Sequence, residues 1–144
     1  MSRGFTLIEL LIVVGIAGIL AGIAVPGYRG VMQRSQRNEA RLALLAVQYA
    51  EEQHYFRANA YSGEIAADRA SGGLGISDRS TSGRYLLLVE LQEDGQGYLA
   101  IAQPDPRGRQ AADHDCARFA VNRNGQRIAW NAAGEDATAA CWNG

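Results

Sequence analysis

The sequence holds little that catalysis needs. Its two histidines, His54 and His114, stand far apart in the chain, and no H-E-x-x-H, G-x-S-x-G or P-loop spacing surrounds them. An enzyme is therefore the function class furthest from this chain, and isolated histidines of this kind read as ordinary surface residues. Charge of one sign is missing as well. With 14 basic and 15 acidic residues the formal net charge is −1, which excludes the strongly positive footprint of a dedicated nucleic-acid binder while leaving room for a local patch. Cysteine is reduced to Cys116 and Cys141, with no C-x-x-C pair to suggest zinc or a redox motif. A chain of 144 residues whose first quarter is committed to one segment has enough left for one small globular head, and no second domain is expected.

Charge is also nearly absent from the segment that dominates the chain. From Phe5 to Val25 the only charged residue is Glu9, and the apolar run stops at Pro26. Roughly 20 apolar residues in helix match a bilayer core of about 30 Å, so this stretch is long enough to span a membrane. A carboxylate within such a run is costly, about 2.5 to 3.5 kcal/mol at mid-helix, and asks for a partner, which makes Glu9 a functional candidate. An ordinary cleaved secretory signal does not fit a charged residue inside so long a run. Gly18 and Gly22 form a GxxxG spacing suited to close helix approach, although glycine is frequent in membrane helices generally. Pro26 removes an amide donor and should kink the helix or fray it one turn earlier.

Gly4-Phe5-Thr6-Leu7-Ile8-Glu9, preceded by the short basic leader Met1-Ser2-Arg3, resembles the class III signal of type IV pilins and of type II secretion pseudopilins. The close match covers about the first 30 residues. The resemblance implies cleavage after Gly4 by a prepilin peptidase and methylation of the new amino terminus at Phe5. It puts the family's conserved glutamate on Glu9, and on Gly18 and Pro26 the residues bracketing a stretch that loses helicity in filaments. It also implies a leader at 1–4, a hydrophobic transmembrane and assembly helix at 5–26, and an amphipathic helix half with a globular head at 27–144.

Beyond Gly27 the pattern turns amphipathic. Val31, Leu42, Leu45, Tyr49 and Phe56 fall near one stripe, expected to lie against the head, with Arg29, Arg34, Arg37, Glu39, Arg41, Glu51 and Glu52 among the polar remainder. The arginines Arg29, Arg34, Arg37 and Arg41 read as a solvated face, or alternatively as partners for neighbouring acidic groups or lipid head groups. From Arg57 to Arg84 a long ordered loop is expected, with one helical turn near Glu64 to Arg69. Tyr85 to Leu91 and Tyr98 to Ala102 read as strands around the Asp94-Gly95 turn. Cys116 to Val121 and Arg127 to Trp130 form a second hairpin around Asn124-Gly125, a type I′ signal. The fold class is α+β: a long N-terminal helix, its first half membrane-spanning, packed on a four-stranded antiparallel sheet with one face buried.

In an extracytoplasmic chain two cysteines most simply make one disulfide. A bridge from Cys116 to Cys141 closes about 25 residues, contributes roughly 3 kcal/mol, and staples a tail poor in apolar residues. It matches the disulfide-bounded C-terminal loop of many type IV pilins, whereas major pseudopilins typically lack it and carry calcium. Asp105, Asp113 and Asp115 crowd one loop as oxygen donors but are more simply turn formers beside Pro104, Pro106 and Gly108, so no metal and no cofactor is expected. Arg107, Arg109, Arg118, Arg123 and Arg127, with Trp130 and Trp142 nearby, have the composition of a DNA-contacting face, and equally that of a solvated hairpin.

The reading is a minor pilin, a structural subunit supporting pilus assembly, twitching motility and adhesion. The alternatives are a secretion pseudopilin and a DNA- or receptor-binding tip subunit for DNA uptake. Its expected partners are other pilin subunits, the prepilin peptidase and the inner-membrane assembly machinery. The precursor is expected as a single-pass protein of the inner membrane, oriented by Arg3 on the cytoplasmic side, and the product in the fibre at the cell surface.

Overall fold

The structure, a computed structural model, describes residues 5–92 and 95–143, without the side chains of residues 24–27 and 29. Gly4 and the rest of the leader, the Pro26 and Arg29 side chains and Asp94 therefore lie outside the described residues. The chain divides into two compact units, Met1–Arg34 and Ser35–Gly144.

Helix α1 runs from Leu7 to Ala58 and passes through both units. It continues unbroken across Pro26, so the fraying expected there does not occur. One missing donor costs about 3 kcal/mol in a helix interior, which the turns on either side offset. In the first unit the side chains from Phe5 to Ile23 are exposed, as a helix apolar all round must be in the absence of a partner. Among the described residues no helix is long and apolar enough to cross a membrane, and the fully described part of the apolar run stops at Ile23.

In the second unit α1 packs on a four-stranded antiparallel meander in the order β1-β2-β3-β4. The strands are β1 (Tyr85–Gln92), β2 (Gly97–Pro104), β3 (Arg118–Asn122) and β4 (Arg127–Trp130), and helix α2 (Thr138–Asn143) follows. Alternation aims Tyr85 and Leu87 of β1, Tyr98, Ala100 and Ala102 of β2, Phe119 and Val121 of β3 and Ala129 of β4 into one core with Ala40, Leu44, Val47 and Ala50 of α1. Alanines line much of this interface, which lets helix and sheet approach closely.

The stripe expected to face the head faces away from it. Leu42, Leu45, Tyr49 and Phe56 are 60 to 91 % exposed, and Val31 in the first unit is exposed too. The buried positions are Arg37, Ala40, Leu44, Val47, Ala50, Glu51 and His54, recurring every three or four residues along the opposite side. Small alanines and three polar groups on the packed side hid it from an apolar count. His54, expected at the surface, is buried, with Nδ1 2.8 Å from the Ala60 carbonyl.

The connecting loop differs in one detail. Its helical turn is a 3₁₀ turn at Arg69–Ser71, capped by Asp68, whose carboxylate accepts from the Ala70 amide at 2.7 Å. The second hairpin does not turn through type I′, because only Gly125 of the Asn124-Gly125 pair has positive φ, +74°. The Gly125 amide donates to the Asn122 carbonyl, and the Asn122 side chain accepts from the Asn124 and Gln126 amides. This is the three-residue solution with glycine in the left-handed position, selected by Asn122, two residues before Asn124.

Candidate functional site

At the amino-terminal end, Thr6 starts α1. Its carbonyl accepts from Leu10 at 3.2 Å and its hydroxyl from the Glu9 amide at 3.3 Å. Thr6-Leu7-Ile8-Glu9 has the S/T-x-x-E spacing of a capping box, so Glu9 sits where a carboxylate also favours a helix start. That spacing was legible in the sequence and gives Glu9 a local role beside any intermolecular one. The Glu9 side chain is exposed, Phe5 is 81 % exposed, and nothing lies within 4 Å of a Cβ built on Gly18.

In the second unit, the outward side of α1 carries Leu42, Leu45, Tyr49 and Phe56 at spacings of three, four and seven residues. Tyr49, Glu52, Gln53, Phe56 and Arg57 line a shallow recess there. A monomer seldom leaves so long an apolar stripe in water without a partner for it.

The inward side of α1 is tied to the rest of the second unit by charge. Arg37 grips Asp113 with two bonds, Nε to Oδ2 at 2.7 Å and Nη2 to Oδ1 at 2.8 Å, and Gln110 Nε2 adds a third at 3.0 Å. The pair is almost wholly buried, and the bond from Asp113 holds the Arg37 guanidinium above its ordinary range. Asp113 is thus an ion-pair partner rather than a turn former, and Arg37 is not part of a solvated face. Glu39 accepts from Ser80, from the Ser82 amide and from Arg84, and the carboxyl lies below its usual range even though burial opposes the shift. Asp105 does form a turn with the Arg107 amide, and it also pairs with Arg79 at 2.7 Å.

Cys116 and Cys141 are disulfide-bonded, joining the approach to β3 to helix α2. Cys116 lies two residues ahead of the strand it was expected to begin. Arg41 donates to the Cys141 carbonyl, so the bridge and α1 hold the tail together.

The arginines near the last hairpin are not gathered into one patch. Arg118 lies over Trp130 and Arg127 over Trp142, each 5.2 Å from the ring centroid. Arg118 is the cross-strand partner of Trp130, and Arg127, three residues before Trp130, projects from the other face of the sheet. Trp142 is a packing residue, with its indole N–H on the Ile128 carbonyl at 3.0 Å and its ring edge-on to Phe119. Arg123 bonds the Gln96 carbonyl, while Arg107 and Arg109 are exposed. The arrangement offers two separate guanidinium–indole pairs suited to phosphate contact, with part of each indole face already covered.

Comparison with known proteins gives consistent results. A family model described as "Type IV minor pilin ComP, DNA uptake sequence receptor" matches residues 26–120, and one described as "Prokaryotic N-terminal methylation motif" matches residues 1–25. A fimbrial protein of Neisseria meningitidis is 36 % identical over 92 residues, which cover 64 % of this chain and 51 % of that protein. The fimbrial protein EcpC of Eikenella corrodens is 37 % identical over 101 residues, 70 % of this chain and 61 % of its own. A solved type IV pilin from Shewanella oneidensis aligns over 66 % of this chain and 89 % of its own, with 21 % identity and a TM-score of 0.47. The chain spans about half the length of the first of these curated relatives.

Proposed function

The chain belongs to the type IV pilin family, and from that membership we propose that it is a minor pilin, a structural subunit polymerised through its N-terminal helix. The observation that carries the reading is the apolar surface that α1 leaves open, from Phe5 to Ile23 in the first unit and at Leu42, Leu45, Tyr49 and Phe56 in the second. A chain built to stay alone would cover such surface. A filament subunit presents it to its neighbours.

In this reading the hydrophobic stretch holds the precursor in the inner membrane, a prepilin peptidase cuts after Gly4, and the amine of Phe5 is methylated. Glu9 then neutralises the terminal amine of the neighbouring subunit during docking, a pair whose value lies in register more than in net stability. Gly18 and Pro26 supply the places where α1 loosens on packing. Other pilins, the peptidase and the assembly machinery are the partners, the fibre at the cell surface is the destination, and motility and adhesion are the tasks served. The Cys116–Cys141 bridge supports a pilus over a secretion pseudopilin.

The test is Glu9→Ala. Membrane insertion of the precursor should be intact, whereas the amount of the chain in sheared pili should drop at least about tenfold, the equivalent of 1.4 kcal/mol in docking. Incorporation of the variant at the normal level would sink the docking role.

A second reading, a DNA-contacting pilin, is favoured by the receptor description attached to the matching family and by Arg118 and Arg127 on their tryptophans. Salt-dependent binding of DNA by the chain separates it from a purely structural role.

A further inference from the structure

Glu51 has no part in the reading above, and its surroundings are unusual for a carboxyl group. It is 0 % exposed, on the packed side of α1. One oxygen, Oε2, accepts from the Ser62 amide at 2.9 Å, and Oε1 has no hydrogen-bond partner among the described residues. Carboxylates this deep are normally paired with a cation or satisfied at both oxygens. The groups that bear on it are few. His54 and Glu52 come from α1 itself, Ser62 from the connecting loop, and Tyr98 from β2. Tyr61, beside Ser62 in the loop, is occupied with Glu52, and the hairpin's Arg123 acts on Tyr61 rather than on Glu51. Among the described residues no arginine pairs with Glu51.

The one hydrogen bond that Glu51 makes among the described residues falls on a junction. Ser62 spends its amide on Glu51 and its hydroxyl on the Gly72 carbonyl at 2.7 Å, and its hydroxyl also accepts from the Glu64 amide. Just upstream, His54 is bonded to the Ala60 carbonyl, and Asn59 has a φ of +55°, the one positive value at a non-glycine residue among those described. Release of Ser62 from α1 therefore loosens the entry of the loop and, through Gly72, its 3₁₀ turn.

We propose that Glu51 is a proton-operated latch: protonated, it is tolerated in the core and clamps Ser62 to α1; ionised, it strands a buried charge and slackens residues 59–63. Burial pushes the carboxyl up to about 7, with the Ser62 amide and His54 opposing and Glu52 adding to the rise. A folded-state value above the value of the opened loop means that the closed latch binds more protons. Its stability is thus present below pH 4.5, is lost as pH rises from there to about 7, and is level above that.

The experiment is amide hydrogen exchange on the full chain in detergent micelles between pH 5 and 8.5, corrected for intrinsic exchange, on the chain as it stands and on Glu51→Gln. The expected result is that protection of residues 59–63 falls roughly tenfold or more by pH 7.5 and then levels off, with β2 and β3 unaffected, and that Glu51→Gln abolishes the fall. Protection that is flat with pH, or that falls equally in Glu51→Gln, overturns the proposal. So does loss of the effect in His54→Gln with its retention in Glu51→Gln. Should Glu51→Gln fail to fold, infrared spectra of the unaltered chain decide the matter. A buried neutral carboxyl band present at pH 5.5 and gone at pH 8.5 supports the latch, and its absence at both refutes it.

Discussion

Replacement of Arg37 by methionine puts the architecture of the head to a quantitative test. The substitution keeps a long unbranched side chain and deletes the guanidinium. Asp113, with a side chain 2 % exposed, is then left with Gln110 as its hydrogen-bond donor. Removing one partner of a buried pair typically costs about 3 to 5 kcal/mol, because the remaining charge cannot regain water. For a folded unit of this size each kcal/mol lowers the midpoint by roughly 4 °C, so the drop should be about 12 to 20 °C. The reciprocal change, Asp113→Ala, should cost less, since Asp115 stands 3.8 Å from Arg37 Nη2 with its side chain 89 % exposed and is able to swing in. The double variant Arg37→Met with Asp113→Leu strands no charge and should recover most of the loss. The assay is thermal unfolding of the full chain in detergent, followed by the fluorescence of Trp130 and Trp142. A drop under about 4 °C for Arg37→Met, or a double variant no better than the single one, would refute the argument that this pair anchors α1 to the loop before β3.

Two further outcomes follow from the same geometry. Replacing both Cys116 and Cys141 by serine should lower stability by about 3 kcal/mol and expose the 131–143 tail to proteolysis first, while the β1–β2 hairpin survives; equal protease resistance of the two chains counts against the staple. If the DNA reading holds, affinity should fall linearly on a log–log plot against salt, and Arg118→Ala should reduce the slope by about one phosphate contact; an unchanged slope takes Arg118 out of the contact surface.

The strands were readable because each carries a run of strand length beside a turn signal, and all four lie within two residues of their expected limits. The disulfide was readable because only two cysteines exist. The packed side of α1 was not readable, because Arg37, Glu51 and His54 interrupt it while the apolar residues Leu42, Leu45, Tyr49 and Phe56 occupy the opposite side. An apolar stripe names whichever face is to be covered, and under the filament-subunit reading that face need not be its own core. The pairing of Arg37 with Asp113 joins residues 76 positions apart, beyond any local pattern. Asn122 misled for the opposite reason: a strong Asn-Gly signal at 124–125 was overruled by an asparagine two positions earlier that caps the turn itself. At the amino terminus, the spacing of Thr6 and Glu9 fits both a capping box and the family motif; the cap hydrogen bond seen here uses the Glu9 amide and leaves the carboxylate exposed, open to a second role.

The central claim, that this chain is matured and assembled as a pilin, is tested most directly by its intact mass when recovered from sheared surface filaments, before and after reduction and alkylation. The account predicts loss of Met1 to Gly4, gain of one methyl group on Phe5, and alkylation of Cys116 and Cys141 only after reduction. A chain with an uncut amino terminus, one cut near Val25, or one absent from the filament fraction altogether would contradict it.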